Sequence, residues 1–255
     1  MGATAALLVL SILGGEGLAP YLNVPPFLED RLIYYQSFDD AAGTPEVNEA
    51  NAVQTGQVAA APDGFRGACA RAEKAQALQL RSEAFSPHRP LTVAFWWALG
   101  EDEQPDSVFE LFHLTNGKGF VSHFSRGKGE WCALERPAAV LQVYYLPEIA
   151  NVNGIYDPDL AAHLDLRAGV WHHTAVVFNG ASLVEVYTDG RRAWETRLTG
   201  RPFAASDALH DLSIGGRYGL PVALDEVLIL RRALSADEIA TYCTALRQMR
   251  EVGYP

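Results

Sequence analysis

The segment Ala223-Leu-Asp-Glu-Val-Leu-Ile-Leu-Arg-Arg-Ala-Leu-Ser-Ala-Asp-Glu-Ile-Ala240 constrains this chain more than any other. An apolar run broken by one acidic pair leads within a few residues into a helix start. Ser235 is placed to accept from the backbone N–H of Glu238, and the Glu238 side chain can reach back to the N–H of Ser235. Ile239, Tyr242, Cys243 and Leu246 then recur at helical spacing. The chain is therefore expected to finish as a strand followed by a helix that closes over the sheet.

The rest of the sequence reads as short apolar or alternating runs bounded by turn residues, the pattern of an all-β sandwich. Strands are expected at 32–38, 68–71, 76–80, 91–99, 107–114, 120–124 and 131–134. Further strands are expected at 140–146, 170–178, 183–188, 192–198, 209–214 and 223–230. Asn116-Gly117, Asn179-Gly180 and Asp189-Gly190 join neighbouring runs, and such pairs tolerate the positive φ angles of two-residue hairpin turns. The last two make residues 170–198 a three-strand meander. In residues 91–99 both alternating faces are apolar, so one face meets the core and the other a second covered surface.

With 255 residues the chain can bury a large core without disulfide or metal staples. Its formal net charge of −11 argues against nucleic acid as a partner, because phosphate binding needs clustered cations. Cys69, Cys132 and Cys243 show no metal spacing and read as buried thiols. Residues 1–30 stand apart from a single domain at 31–255. From Gly2 to Leu28 the only charged residue is Glu16, and Thr4–Leu13 is too short to span a bilayer as a helix. The segment reads as an export signal, as a docking element that gives residues 1–28 a membrane or membrane-protein contact, or as a lead-in to the sandwich.

One segment breaks the rhythm. Residues 147–167 separate two strands by more than twenty residues, and long loops in compact domains are usually functional or disordered. Asn151, Asn153, Tyr156, Asp157, Asp159 and His163 can hydrogen-bond, stack on a sugar or hold a cation there. The alternative is a surface insertion with a short helix at 159–166. Trp131, Tyr144 and Tyr145 are aromatic candidates for the concave groove. The expected ligand-binding set is Trp131, Tyr144, Tyr145, Asn153, Tyr156 and Asp157.

With these elements in order, the sequence resembles the laminin-G-like branch of the concanavalin A-like lectin/glucanase superfamily, from about Leu32 to Leu246. The residues that carry it are Tyr35-Gln-Ser-Phe-Asp39, Gly67-Ala-Cys-Ala-Arg71, Ala77-Leu-Gln-Leu80 and Leu91-Thr-Val-Ala-Phe-Trp96. Gly169-Val-Trp-His-His-Thr-Ala175, Val186-Tyr-Thr-Asp-Gly190, Leu212-Ser-Ile-Gly-Gly216 and the closing segment complete the series. The resemblance implies a jelly roll of two antiparallel sheets with a short C-terminal helix. It also implies one structural Ca2+, held by Asp39 or its neighbour Asp40, by Gly67 and by Asp225. Read from the residues alone, Asp225 can equally cap a loop or pair with an arginine, because an aspartate in an apolar strand needs a partner.

Catalytic members of the superfamily carry three alternating acids on one strand, and no such triplet occurs here. Asp225 and Glu226 are neighbours, so a regular strand sends their side chains to opposite faces. The same alternation separates His172 from His173 and prevents them from sharing a metal. The expectation is a non-catalytic binding or adhesion module outside the cytoplasm, periplasmic, at the cell surface or secreted, with a glycan or protein partner. The alternative is an accessory subunit of a membrane-associated assembly docked through its N-terminus, and the third reading is a polysaccharide-active hydrolase or lyase.

Overall fold

The structure is a computed structural model that describes residues 26–40, 43–74, 76–86, 89–101, 109–115, 119–125, 139–145, 152–155, 167–181, 183–197, 211–215 and 220–252. A short helix α1 (Pro26–Glu29) leads into strands β1 (Leu32–Gln36), β2 (Val53–Gln54), β3 (Ala59–Ala61), β4 (Cys69–Ala72), β5 (Leu78–Arg81) and β6 (Pro90–Leu99). Strands β7 (Phe109–Thr115), β8 (Gly119–Ser125), β9 (Ala139–Tyr145), β10 (Val152–Ile155), β11 (His172–Asn179) and β12 (Leu183–Thr188) follow. The chain then forms β13 (Arg191–Arg197), β14 (Asp211–Ile214), β15 (Val222–Leu230) and helix α2 (Ala236–Glu251).

Among the described residues the strands form two antiparallel sheets, as the alternating pattern implies. The outer sheet runs β13-β12-β11-β6-β15-β4-β3, with β1 also paired to β15. The inner sheet runs β10-β9-β8-β7-β14-β5-β2. Phe95, Trp97, Phe178, Val227 and Ile229 meet Leu78, Leu80, Phe112 and Ile214 between the sheets. Each such side chain contributes roughly 1.5–3 kcal/mol when taken from water.

The central strands β6 and β15 are buried on both faces, because α2 and the turn at residues 64–68 cover the back of the outer sheet. There Trp96, Tyr35, Phe65, Trp171, Leu228 and the helix residues Ile239, Tyr242, Cys243 and Leu246 form a second apolar layer. Leu28 of α1 is fully buried in the same layer, and Arg232 donates to the Phe27 carbonyl at 3.0 Å. The expected capping box is formed, with Ser235 Oγ accepting from the Glu238 N–H and Glu238 accepting from the Ser235 N–H at 2.9 Å.

The meander is built as read, and Asp189-Gly190 makes its second turn with φ of 52° and 78°. The first turn is longer than the two residues expected. Asn179 still pairs with Pro90 of β6, so the reversal falls between Asn179 and Leu183, and Asn179 Oδ1 accepts from the N–H groups of Ala181 and Leu183. Three strands escape the sequence reading: the short edge strands β2 and β3, and β10. The last corrects the long-loop expectation, since Val152–Ile155 pairs antiparallel with Val143–Val140 and Asn153 stands opposite Gln142 in a strand. Asn116-Gly117, the strand expected at 131–134, Cys132, the helix expected at 159–166 and residues 1–25 lie outside the described residues. No helix among the described residues is long and apolar enough to cross a membrane.

Candidate functional site

β15 keeps β6 along one edge but changes partner on the other. Val222–Leu224 pair with β4, while Val227–Leu230 pair with β1. The changeover falls on Asp225 and Glu226, where the register to β6 also slips between Asp225 and Leu228. Glu226 adopts a φ of 52°, a left-handed conformation that a glutamate holds at some strain, at the β-bulge. The extra residue resets the alternation. Asp225 and Glu226 are both fully buried on the back of the outer sheet, which corrects the expectation of opposite faces.

Each acid has a defined task. Asp225 Oδ2 accepts from the Arg66 N–H at 2.9 Å, and Oδ1 accepts from the Glu226 N–H at 2.8 Å. Glu226 Oε2 accepts from the Tyr35 hydroxyl at 2.6 Å, and Oε1 lies 3.5 Å from Nη1 of the buried Arg66 guanidinium. Burial, and then Glu226, push the Asp225 carboxyl well above its usual range. Burial raises Glu226 to about 7 against the pull of Arg66. In the same apolar layer Phe65 stacks on Trp96, with centroids 3.6 Å apart.

The turn that delivers Arg66 is held by glycines. Gly67 has a φ of 63°, and a Cβ there would lie 2.0 Å from Asp39 Oδ1. Asp39 Oδ1 accepts from the Ala68 N–H at 2.9 Å, and the Gly67 carbonyl accepts from the Gly64 N–H at 2.9 Å. Asp39, Gly67 and Asp225, far apart in sequence, are thus gathered around one turn. Their donor set, two carboxylates and a carbonyl, suits a hard cation such as calcium. Glu226 and Asp39, after burial, both raise Asp225, so the carboxyls crowd one another at this turn. Among the described residues no three His, Cys, Asp or Glu side chains form a metal cluster.

On β11, beyond β6 in the same sheet, the two histidines separate as alternation requires. His172 Nδ1 meets Asp189 Oδ2 at 2.8 Å, and its ring stands 5.2 Å from Trp97. His173 lies on the back face, 5.3 Å from Trp96 and 5.5 Å from Tyr242. Burial holds the His173 imidazole down at about 3, so it is neutral near pH 7. Trp96, read from the sequence as a packing residue, is fully buried.

A separate cleft of about 350 Å3 opens beside the partner change, between the ends of β1 and β4 and the edge strands β2 and β3. Gln36, Phe38, Asp40, Gln54, Val58 and Ala60 are among its lining residues. Of the sequence-derived ligand set, Tyr144 and Tyr145 fall on β9, opposite Phe120 and Gly119, and Asn153 falls on β10. These strands adjoin at one end of the inner sheet. Trp131, Tyr156 and Asp157 lie outside the described residues. Arg66 was missed, as were the roles of Tyr35 and Glu226 as its neighbours and, apart from Asp40, the cleft residues. The available signal was an arginine between glycines, Gly64-Phe-Arg-Gly67, beside an unexplained acidic pair.

A laminin G-type family model, described as concanavalin A-like lectin/glucanases superfamily, matches residues 72–240. The chain belongs to that superfamily. No curated protein matches its sequence. Among solved structures it is similar to domain 4 of AbnA, a GH43 extracellular arabinanase from Geobacillus stearothermophilus, in complex with arabinotriose. That match has a TM-score of 0.56 and 17% identity over 84% of this chain and 98% of that one. It is also similar to the botulinum neurotoxin serotype D binding domain, with a TM-score of 0.62 and 8% identity, covering 86% of this chain and 51% of that one. The binding domain of Paraclostridial Mosquitocidal Protein 1 gives 0.54 and 15%, covering 85% and 52%. This superfamily member therefore spans about half the length of the toxin domains it matches, and these likenesses concern the fold.

Proposed function

We propose that the chain is a non-catalytic binding module that recognises a glycan outside the cytoplasm. The observation that carries this reading is a whole-domain likeness to a sandwich solved with arabinotriose. The adjacent acids support the absence of catalysis, because Asp225 and Glu226 are buried and engaged by backbone N–H groups, Tyr35 and Arg66. A catalytic carboxyl must reach its substrate. The ligand face draws on one of Tyr144 and Tyr145, which alternation along β9 assigns to opposite faces, with Asn153 on β10 and with Trp131, Tyr156 and Asp157. Binding on a glycan array, lost in the Tyr144→Ala/Tyr145→Ala variant, is the expected result; a blank array overturns the reading. Placement outside the cytoplasm draws on the apolar run Thr4–Leu13. Recovery of the native chain in the cytosolic fraction would reject it.

The gathering of Asp39, Gly67 and Asp225 supports a structural calcium bound by these oxygens. Calcium bound to the folded state raises stability by mass action. The melting temperature should fall with chelator, and Asp225→Asn should lose that calcium dependence. Identical melting with calcium and with chelator counts against the metal.

A further inference from the structure

We infer that a linear glycan lies across the strands of the inner sheet, on the face turned away from the core, with Ser213 and His113 beneath it and Tyr144 at its side. This rests on the glycan-binding reading above and deepens it by giving the direction of the ligand and the residues under it.

The strand registers build one polar row. Gln79 stands opposite Ser213, Ser213 opposite His113, and His113 opposite Ser122. Ser122 stands opposite Gln142, and Gln142 opposite Asn153. Residues directly paired across antiparallel strands share a face, so the row crosses β5, β14, β7, β8, β9 and β10 without a break. One step along the strands, the row from Leu80 through Leu212, Leu114, Val121 and Val143 to Val152 is apolar throughout. Leu80, Leu212 and Leu114 belong to the core between the sheets, so the polar row faces the other way. Two residues along β9 from Gln142, Tyr144 falls on the polar face opposite Phe120, whereas Tyr145 falls with Val143.

The centre of the row differs from a solvated surface. At the β5 end Gln79 is exposed, but Ser213 and His113 are each only 9% exposed. Ser213 Oγ is buried and has no hydrogen-bond partner among the described residues. A buried hydroxyl with its bonds unmade is costly, and a ligand hydroxyl bonded to Oγ removes that cost. Gln79 is unbranched and exposed, so its side chain can turn to admit such a group. His113 is held in register by Glu110, whose Oε1 lies 3.0 Å from Nδ1. A β-bulge between Glu110 and Phe112 brings that carboxylate onto the face of His113.

Spacing and chemistry together select the ligand. Strands lie about 4.8 Å apart, so a chain running along the row meets one polar residue at every strand. Serine, histidine, glutamine and asparagine can each donate and accept, as sugar hydroxyls do. Hydroxyl-bearing rings joined end to end match such a row, and Phe120 and Tyr144 put aromatic residues beside it. A single sugar covers one strand spacing, so affinity has to grow with chain length.

The test is calorimetric titration of the full chain with arabinose to arabinohexaose, xylose to xylohexaose and glucose to cellohexaose. In at least one series affinity should rise about tenfold or more from disaccharide to pentasaccharide. Ser213→Ala removes a hydroxyl that bonds nothing in the free protein, so its melting temperature should match wild type or exceed it. Its affinity for that pentasaccharide should fall about five- to tenfold. Tyr144→Ala alone should reproduce the loss of the double tyrosine variant. The His113 ring signals should shift as the pentasaccharide saturates the protein. Affinity independent of length, wild-type affinity in Ser213→Ala, or an array-positive glycan that leaves the His113 signals unmoved overturns the row alone. A blank array with no binding in any series removes the row and the glycan-binding reading together.

Discussion

The two sides of the outer sheet are built from different materials. The side facing the second sheet is filled chiefly with aliphatic and phenylalanine side chains, among them Phe95, Phe178, Val186, Leu224 and Ile229, and the polar atoms of its Tyr34 and Trp97 are bonded to Gln36 and Thr174. The side under α2 is equally buried but carries Arg66, Asp225, Glu226 and His173 among its aromatic rings. Among the described residues, Trp96 Nε1, both His173 ring nitrogens and the Tyr242 hydroxyl have no hydrogen-bond partner. The first layer needs only the right volume, and the second needs specific pairs. A dry layer responds to lost volume, whereas a polar layer responds to a lost partner, and that difference can be measured.

The largest effects are expected where each layer loses its defining feature. Phe178→Ala in the inner layer should cost about 3–5 kcal/mol in urea unfolding. Arg66→Met on the other side should cost a similar amount, about 3–5 kcal/mol, because it leaves Glu226 buried beside Asp225 without its cation. The layers then part company. Adding Glu226→Gln, which keeps an acceptor for Tyr35, should recover most of the loss in Arg66→Met and none in Phe178→Ala. Equal recovery in both backgrounds, or in neither, would erase the distinction.

The next effect depends on pH. His173 is held neutral down to about 3, against 6.5 when unfolded, chiefly by burial. Asp189 raises it, Arg247 lowers it, and Tyr242 and Trp96 face its ring. The unfolded chain therefore takes up this proton first as pH falls. Stability from His173 is complete above 6.5 and is lost towards 3, with a limiting slope of about 1.4 kcal/mol per pH unit. His173→Phe should flatten the acid limb of stability over that window, while Phe178→Ala should shift the whole curve without changing its slope. Parallel curves for wild type and His173→Phe would exclude this titration.

The smallest effect tests the cover itself. Ser235→Ala removes the capping box of α2 and should cost about 1 kcal/mol. Because α2 covers only the polar layer, hydrogen exchange should quicken at the Trp96 indole N–H but not at the Trp97 indole N–H, which lies in the other layer. Uniform acceleration would mean that the two layers open together.

Much of this architecture is legible in the chain. The alternation in β5, the doubly apolar β6, the Asp189-Gly190 turn and the capped α2 each follow from interactions between near neighbours in sequence. β2 and β3 were not legible, since two or three exposed residues of ordinary composition carry no periodicity. Asn153 was read as a loop residue because a four-residue strand inside a long polar segment is visible only through its pairing with β9. Asp39, Gly67 and Asp225 were named from the family resemblance, and the structure does bring them to one turn. Glu226 joins them only because a bulge inserts one residue, an event that alternation cannot anticipate.

Sequence alone determined the two-sheet sandwich, its central strands and its closing helix, because period-two patterning, turn residues and caps are local properties. Tertiary structure decided which face the acidic pair occupies, which arginine answers it across 160 residues of chain, and where the edge strands leave a cleft. Those outcomes depend on which strands become neighbours, and no local pattern encodes the partner change along β15 that creates them.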